Sequence, residues 1–172
     1  MTDNMNNFVR WFKKPLSQLY TNSDAGFIVL MATLPLIERY LRQKSGDHEK
    51  PTLTTNFFRA FIDLFPSVKN IGNAKKVWNL FRHGLLHQGT IKIRTKAGDT
   101  VLAVGVHGDA NEIEISGYSS TGLTVTVSPS KFSEKVIAAI ERDFSTFEAP
   151  NSPNHPLPTI EPNTSVSGWV KK

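Results

Sequence analysis

The apolar residues of this chain change their spacing twice, and that change limits the fold more than any single motif. Before Gln88 they recur mostly three and four positions apart, the period of an amphipathic helix. After Gly89 they alternate with polar residues, the period of a half-buried strand. After Ser128-Pro129 the helical spacing returns. With 172 residues, 39% of them hydrophobic, the chain is long enough for one ordinary core and short for two. The expectation is therefore an α+β protein in which a small antiparallel β-sheet of about four strands interrupts a set of helices.

Phe8, Trp11, Phe12, Leu16 and Leu19 place a short amphipathic helix over 8–20, with Pro15 limiting its regularity. Thr21-Asn22-Ser23-Asp24 is a capping cluster ahead of a helix reaching Gln43, which Pro35 is expected to kink or break. Lys44 to Pro51 reads as a polar loop. Thr54 or Thr55 caps a helix over 56–65 with a stripe of Phe57, Phe58, Phe61, Ile62 and Phe65, ended by Pro66. That stripe reads as core, not as a base-stacking platform. A third long helix is expected from Asn73 to Gln88, with Val77, Leu80, Phe81 and Leu85 on one face. Strands follow at 90–95, 100–106, 112–115 and 123–127. Ser128 is the expected N-cap of the last helix, with Pro129 at its first position, and that helix carries Phe132, Val136, Ile137, Ile140 and Phe144. The organisation read from this is one domain over 1–148 with the sheet inserted at 90–127, then an extended Pro/Ser/Asn-rich tail over 149–172. Trp169-Val170 in that tail is a candidate to dock on the body or on a partner.

The absence of cysteine excludes disulfides, thiolate metal sites and cysteine nucleophiles, and favours a reducing compartment. The longest apolar run, Ala25 to Ile37, is thirteen residues, well short of the roughly twenty that span a bilayer. It reads as a buried helix of a cytoplasmic protein, with no membrane partner. The net charge of +5 is uneven. Residues 1–88 hold 12 Lys and Arg against 6 Asp and Glu, and residues 89–172 hold 8 against 9. A basic half of this kind attracts polyanions such as RNA, although a modest positive charge also serves solubility alone.

The basic half contains Phe81-Arg82-His83-Gly84-Leu85-Leu86-His87-Gln88, placed at a helix end with Gly89 as a stop. Arg82 and His87 lie about 140° apart on a regular helix, whereas His83 and His87 share a face. A guanidinium grips phosphate oxygens through paired hydrogen bonds, and an imidazole exchanges a proton near neutral pH. RNA carries its own nucleophile, the 2′-hydroxyl. Such a pair therefore suffices for phosphodiester cleavage without a metal.

This segment resembles the R-x4–6-H motif of the HEPN superfamily, in which a polar residue follows the arginine, the place His83 takes here. The order of elements is similar too, with two helices ahead of the motif helix. Glu38, in Leu36-Ile37-Glu38-Arg39, matches the acidic residue that many members carry on an early helix. The resemblance covers about 20–90 and the closing helix at 130–147. It implies a bundle of about four to five helices, with the sheet as an elaboration. It further implies a metal-independent endoribonuclease that needs no cofactor, works as a homodimer with two motifs facing each other, and serves as a toxin or in phage defence, often beside an antitoxin protein. Arg82 would bind the scissile phosphate, His87 would act as general acid or base, and His83 would orient them. The products would be a 2′,3′-cyclic phosphate and a 5′-hydroxyl.

Blander readings stand beside these. A histidine near a helix end often caps the helix, Arg82 suits an ordinary ion pair, and Glu38 can pair with Arg39 or Arg42. Lys75, Lys76, Lys92 and Arg94 are candidates to track an RNA backbone, with solvated charge as the default. His83 and His87 have metal-ligand spacing, but no acidic residue lies near them to complete a set. Some relatives of the family bind nucleotides or proteins without cutting. The alternative function is thus a non-catalytic, HEPN-like regulatory module. A third is an interaction protein that makes its contacts through the sheet and the Trp169 tail.

Overall fold

The computed structural model describes residues 3–82, 92–94, 101–106, 110–119 and 122–148. Helix α1 (Asp3–Phe8) passes through a π turn (Val9–Lys13) into α2 (Lys14–Leu19). Pro15 has no N–H to give to the preceding turn, and the widened turn sits just before it, closed by the Lys14 N–H on the Val9 carbonyl. Asn22 then caps a 3-10 turn by accepting the Asp24 N–H at 2.9 Å, and α3 (Gly26–Ser45) follows. The expected break at Pro35 is absent: α3 runs through it. Pro35 and Met31 both lie on the exposed side, so the carbonyl that loses its N–H partner faces water, which removes most of the penalty.

Thr54 caps α4 (Thr55–Leu64) through the Asn56 N–H, and Asn70 caps α5 (Ile71–Asn79) through the Asn73 N–H. The latter helix therefore begins earlier than the apolar spacing indicates. It continues as a π turn through Leu80, Phe81 and Arg82. The closing helices are α6 (Pro129–Arg142) and α7 (Phe144–Glu148). Ser128 is the N-cap of α6 and Pro129 lies in its first turn, as the sequence indicates, but the Ser128 hydroxyl makes no capping bond. Instead its carbonyl takes the Phe132 N–H at 2.9 Å and its own N–H goes to the Asn111 carbonyl at 3.2 Å.

Strands β1 (Lys92–Arg94), β2 (Val101–Val106), β3 (Ile113–Ser119) and β4 (Gly122–Val127) lie in the order β1-β2-β4-β3. The sheet is mixed, not antiparallel throughout: β1–β2 and β3–β4 are antiparallel, but β2–β4 is parallel. Gly117 is the extra residue where the β3–β4 register shifts, a position that suits a residue without a Cβ. Ile113 opposite Val127 and Ile115 opposite Val125 turn one face of this pair inward. Ile113, Val125 and Val127 are fully buried in the same core as the helices. Lys131 and Lys135 of α6 reach the Ala110 carbonyl and the Glu112 carboxylate at 2.8 and 2.9 Å, tying the sheet to the helical layer.

The core is aromatic. Phe65 stacks on Phe132 at 5.0 Å, Phe81 meets Phe132 edge-on at 5.6 Å, and Trp78 meets Phe57 edge-on at 4.8 Å. The stripe of α4 is core, as its spacing indicates: Phe57, Phe58, Phe61 and Phe65 are buried. Phe81 places the motif helix against α6, so the residue after it, Arg82, starts from a rigid support. No helix among the described residues is long and apolar enough to cross a membrane.

Candidate functional site

Arg82 and Glu38 are far apart in sequence and meet in space. Glu38 sits on the C-terminal half of α3, and the Phe81 anchor brings the end of α5 against it. The Arg82 Nη2 lies 4.0 Å from the Glu38 Oε1. That is ion-pair range but beyond a hydrogen bond. The same oxygen accepts a 2.9 Å hydrogen bond from the Nε of Arg42, one turn along α3. Arg42 is itself pinned, since its Nη1 donates to the carbonyls of Asp47 and Lys50 at 3.2 and 3.0 Å. The carboxylate is thus held by Arg42 and steers Arg82 without taking its donors.

The cluster of Glu38, Arg42 and Arg82 carries one net positive charge. Glu38 and Arg42 are only 20% and 16% exposed, while Arg82 is 38% exposed. At 4 Å the gross attraction between Arg82 and Glu38 is about 4 kcal/mol near a protein surface. With Arg82 this accessible, solvent screening leaves a net of roughly 0–1 kcal/mol. The contact therefore orients more than it stabilises.

Arg42 also lines a cleft of about 510 Å³ with Arg39, Gln43, His48, Glu49, Lys50 and Pro51. Its floor depends on how α3 ends. Gly46 takes the left-handed conformation (φ 71°), and the Asp47 N–H returns to the Arg42 carbonyl at 2.8 Å. This turn buries Asp47, whose carboxylate accepts the Thr54 hydroxyl at 2.6 Å, the Thr54 N–H at 3.0 Å and the Lys50 Nζ at 2.9 Å. Burial alone would raise the Asp47 pKa. The donors from Thr54 and the Lys50 charge outweigh it and hold the group below the ordinary carboxylate range.

The other expected site residues are placed unevenly. Lys75 is exposed, with its ammonium 5.8 Å from the Phe58 ring centre, and Lys76 is exposed on the same helix. Lys92 and Arg94 fall on β1, opposite Ala103 and Val101. His83 and His87 lie outside the described residues. Among the described residues no three His, Cys, Asp or Glu side chains cluster as a metal site. The sequence reading singled out Glu38 and Arg82 but treated Arg42 only as a competitor for Glu38, and it passed over Asp47. The available signals were the four-residue spacing of Glu38 and Arg42 and the glycine that follows Lys44-Ser45. The chain matches no family model, and neither a curated protein nor a solved structure is significantly similar to it.

Proposed function

We infer that the protein is a HEPN-type, metal-independent endoribonuclease that cuts RNA through the 2′-hydroxyl, with Arg82 and His87 as the reacting pair. The observation that carries the reading is the Glu38–Arg82 approach: a partly exposed guanidinium held in ion-pair range of a carboxylate of the long early helix, beyond hydrogen-bond distance from it. In this mechanism the 2′-oxygen attacks phosphorus and the 5′-oxygen leaves. A base removes the 2′ proton and an acid protonates the 5′-oxygen, the two tasks assigned to the His87 imidazole and its counterpart across the dimer. Arg82 stabilises the charge gathering on the non-bridging oxygens, and His83 orients the pair. Lys75, Lys76, Lys92 and Arg94 extend the contact along the RNA backbone.

The reading places the protein in the cytoplasm as a homodimer and gives it a toxin or phage-defence role, with an antitoxin protein as a natural partner. Phe27, Ile28 and Met31 on α3 are 38%, 59% and 45% exposed, and this apolar face is the surface such pairing would bury. A second reading has a specific observation behind it: the shorter partner of Glu38 is Arg42, which suits a structural ion pair in a non-catalytic binding module.

The test is incubation with mixed RNA in excess EDTA, followed by analysis of the new ends. Cleavage yielding 2′,3′-cyclic phosphates, with 2′-O-methylated RNA left intact, supports the enzyme. RNA bound but uncut under every condition supports the module.

A further inference from the structure

Another cleft, of about 260 Å³, opens where α3, α4 and α6 meet. It lies away from the cluster of Glu38, Arg42 and Arg82. Tyr40 and Lys44, its α3 residues, each stand two positions from Arg42, about 200° around the helix. Ala60 of α4 and Ala139 of α6 line the cleft and are themselves buried. The hollow exists because larger side chains are missing at these two positions. Leu64 adds apolar surface beside them.

Four charged residues surround this apolar hollow, two of each sign, and two of them are engaged. The Lys44 Nζ donates to the Tyr40 hydroxyl at 3.2 Å, and that hydroxyl donates to the Asp143 Oδ2 at 3.2 Å. The Thr146 hydroxyl donates to the other Asp143 oxygen at 2.7 Å. Asp63 and Arg142 are exposed and have neither a hydrogen bond nor an ion pair among the described residues. Asp63 is moreover badly placed for its charge. It is the penultimate residue of α4, where the helix dipole disfavours an anion, and no basic residue stands in that last turn. Arg59, one turn back, donates to Asn56 instead, at 3.4 Å. A carboxylate without a cation and a guanidinium without an anion thus line one apolar hollow and do not pair with each other. What the cleft lacks is a ligand that carries both charges.

We propose that this cleft binds a free α-amino acid with an apolar side chain. The ammonium of the ligand pairs with the Asp63 carboxylate, its carboxylate takes two parallel hydrogen bonds from the Arg142 guanidinium, and its side chain lies over Ala60, Leu64 and Ala139. A zwitterion leaves the balance of charge in the cleft unchanged, which an anion or a cation alone does not. The volume falls below the roughly 300–1,000 Å³ of drug-sized ligands, in keeping with so small an occupant. The proposal does not rest on RNA cleavage, and its test contains no RNA.

The test is an NMR titration of the whole, isotope-labelled protein with L-leucine, with isocaproate, which lacks the ammonium, and with isoamylamine, which lacks the carboxylate. Leucine is expected to shift the amide signals of Leu64, Ala139 and Arg142 at millimolar concentration. Each analogue should bind at least about tenfold more weakly, having lost one charge-assisted contact. Asp63→Asn and Arg142→Gln change exposed positions and should each weaken leucine binding about tenfold. Asp63→Asn should also erase the preference for leucine over isocaproate, and Arg142→Gln the preference over isoamylamine, a pattern that general loosening of the fold does not produce. No shift at millimolar leucine, shifts confined to residues outside the cleft, equal binding of either analogue by the natural chain, or leucine affinity left unchanged by either variant would overturn the proposal. If a variant fails to fold by circular dichroism, the two analogues on the natural chain decide.

Discussion

The Glu38 Oε1 stands 2.9 Å from the Arg42 Nε and 4.0 Å from the Arg82 Nη2, so one carboxylate oxygen links the long early helix to the end of the motif helix. The two distances divide the labour. The short contact fixes the carboxylate. The long one aims a guanidinium that remains accessible. Glu38→Gln keeps the shape and removes the charge. It is expected to lower RNA cleavage by about 10–100-fold, the size of a lost positioning interaction. The fold should be weakened by about 1–3 kcal/mol, because the 2.9 Å pair that Glu38 makes with Arg42 is largely shielded from water. Cleavage rates and urea midpoints measured on the same preparations check both halves.

The buried Asp47 makes stability depend on acidity. Its pKa is depressed in the folded protein, so its contribution is present above the unfolded value of about 3.9 and is lost as pH falls through the folded value. Asp47→Asn keeps the size but removes the charge that the Thr54 and Lys50 donors face. It should destabilise by about 2–4 kcal/mol at pH 7. The gap from the natural protein should narrow steadily below about pH 4. Thermal unfolding of both proteins from pH 7 to pH 3 measures this.

Three hydroxyls pin α3 to α6 and α2 inside the core. The Tyr20 and Thr33 hydroxyls each lie 2.9 Å from the Ser133 hydroxyl, and Thr33 also donates to the Val29 carbonyl at 2.7 Å. Ser133→Ala strands a buried partner and should cost about 1–3 kcal/mol. Tyr20→Phe should cost about 0.5–1.5 kcal/mol. The double variant should cost less than the sum, because both changes remove the same bond.

Lys69 occupies a positive φ of 71° with ψ −46°, closed by the Asn70 N–H on the Val68 carbonyl at 2.9 Å. This is the strained form of the three-residue turn. Its side chain is exposed. Lys69→Gly should therefore stabilise the protein, by about 0.5–1 kcal/mol, against the usual trend for glycine. A higher unfolding midpoint confirms it.

Much of the helical layer was legible because it is written locally. The spacing of Phe57, Phe58, Phe61 and Phe65, bounded by Thr54 and Pro66, gives α4 within a residue at each end. Glu38 is singled out only by the resemblance, and its approach to Arg82 is not legible in the spacing of either helix. What stayed hidden was set by distant contacts or by backbone geometry. The parallel β2–β4 pair joins strands with β3 between them in sequence, and alternation in each strand is the same for either direction. Asp47 looks like any loop acid until the Gly46 turn folds it under Thr54. Asn70 was missed because a cap acts before the apolar pattern begins.

The most direct test of the account is the metal-free cleavage rate of RNA by the natural chain, Arg82→Lys, Arg82→Ala and His87→Ala, with folding of each verified. The account predicts measurable cleavage by the natural chain and a loss of at least about 100-fold in Arg82→Ala and His87→Ala. Arg82→Lys should rescue little, because an ammonium lacks the planar fork that a phosphate engages. Cleavage that persists in Arg82→Ala and His87→Ala at the natural rate would contradict it.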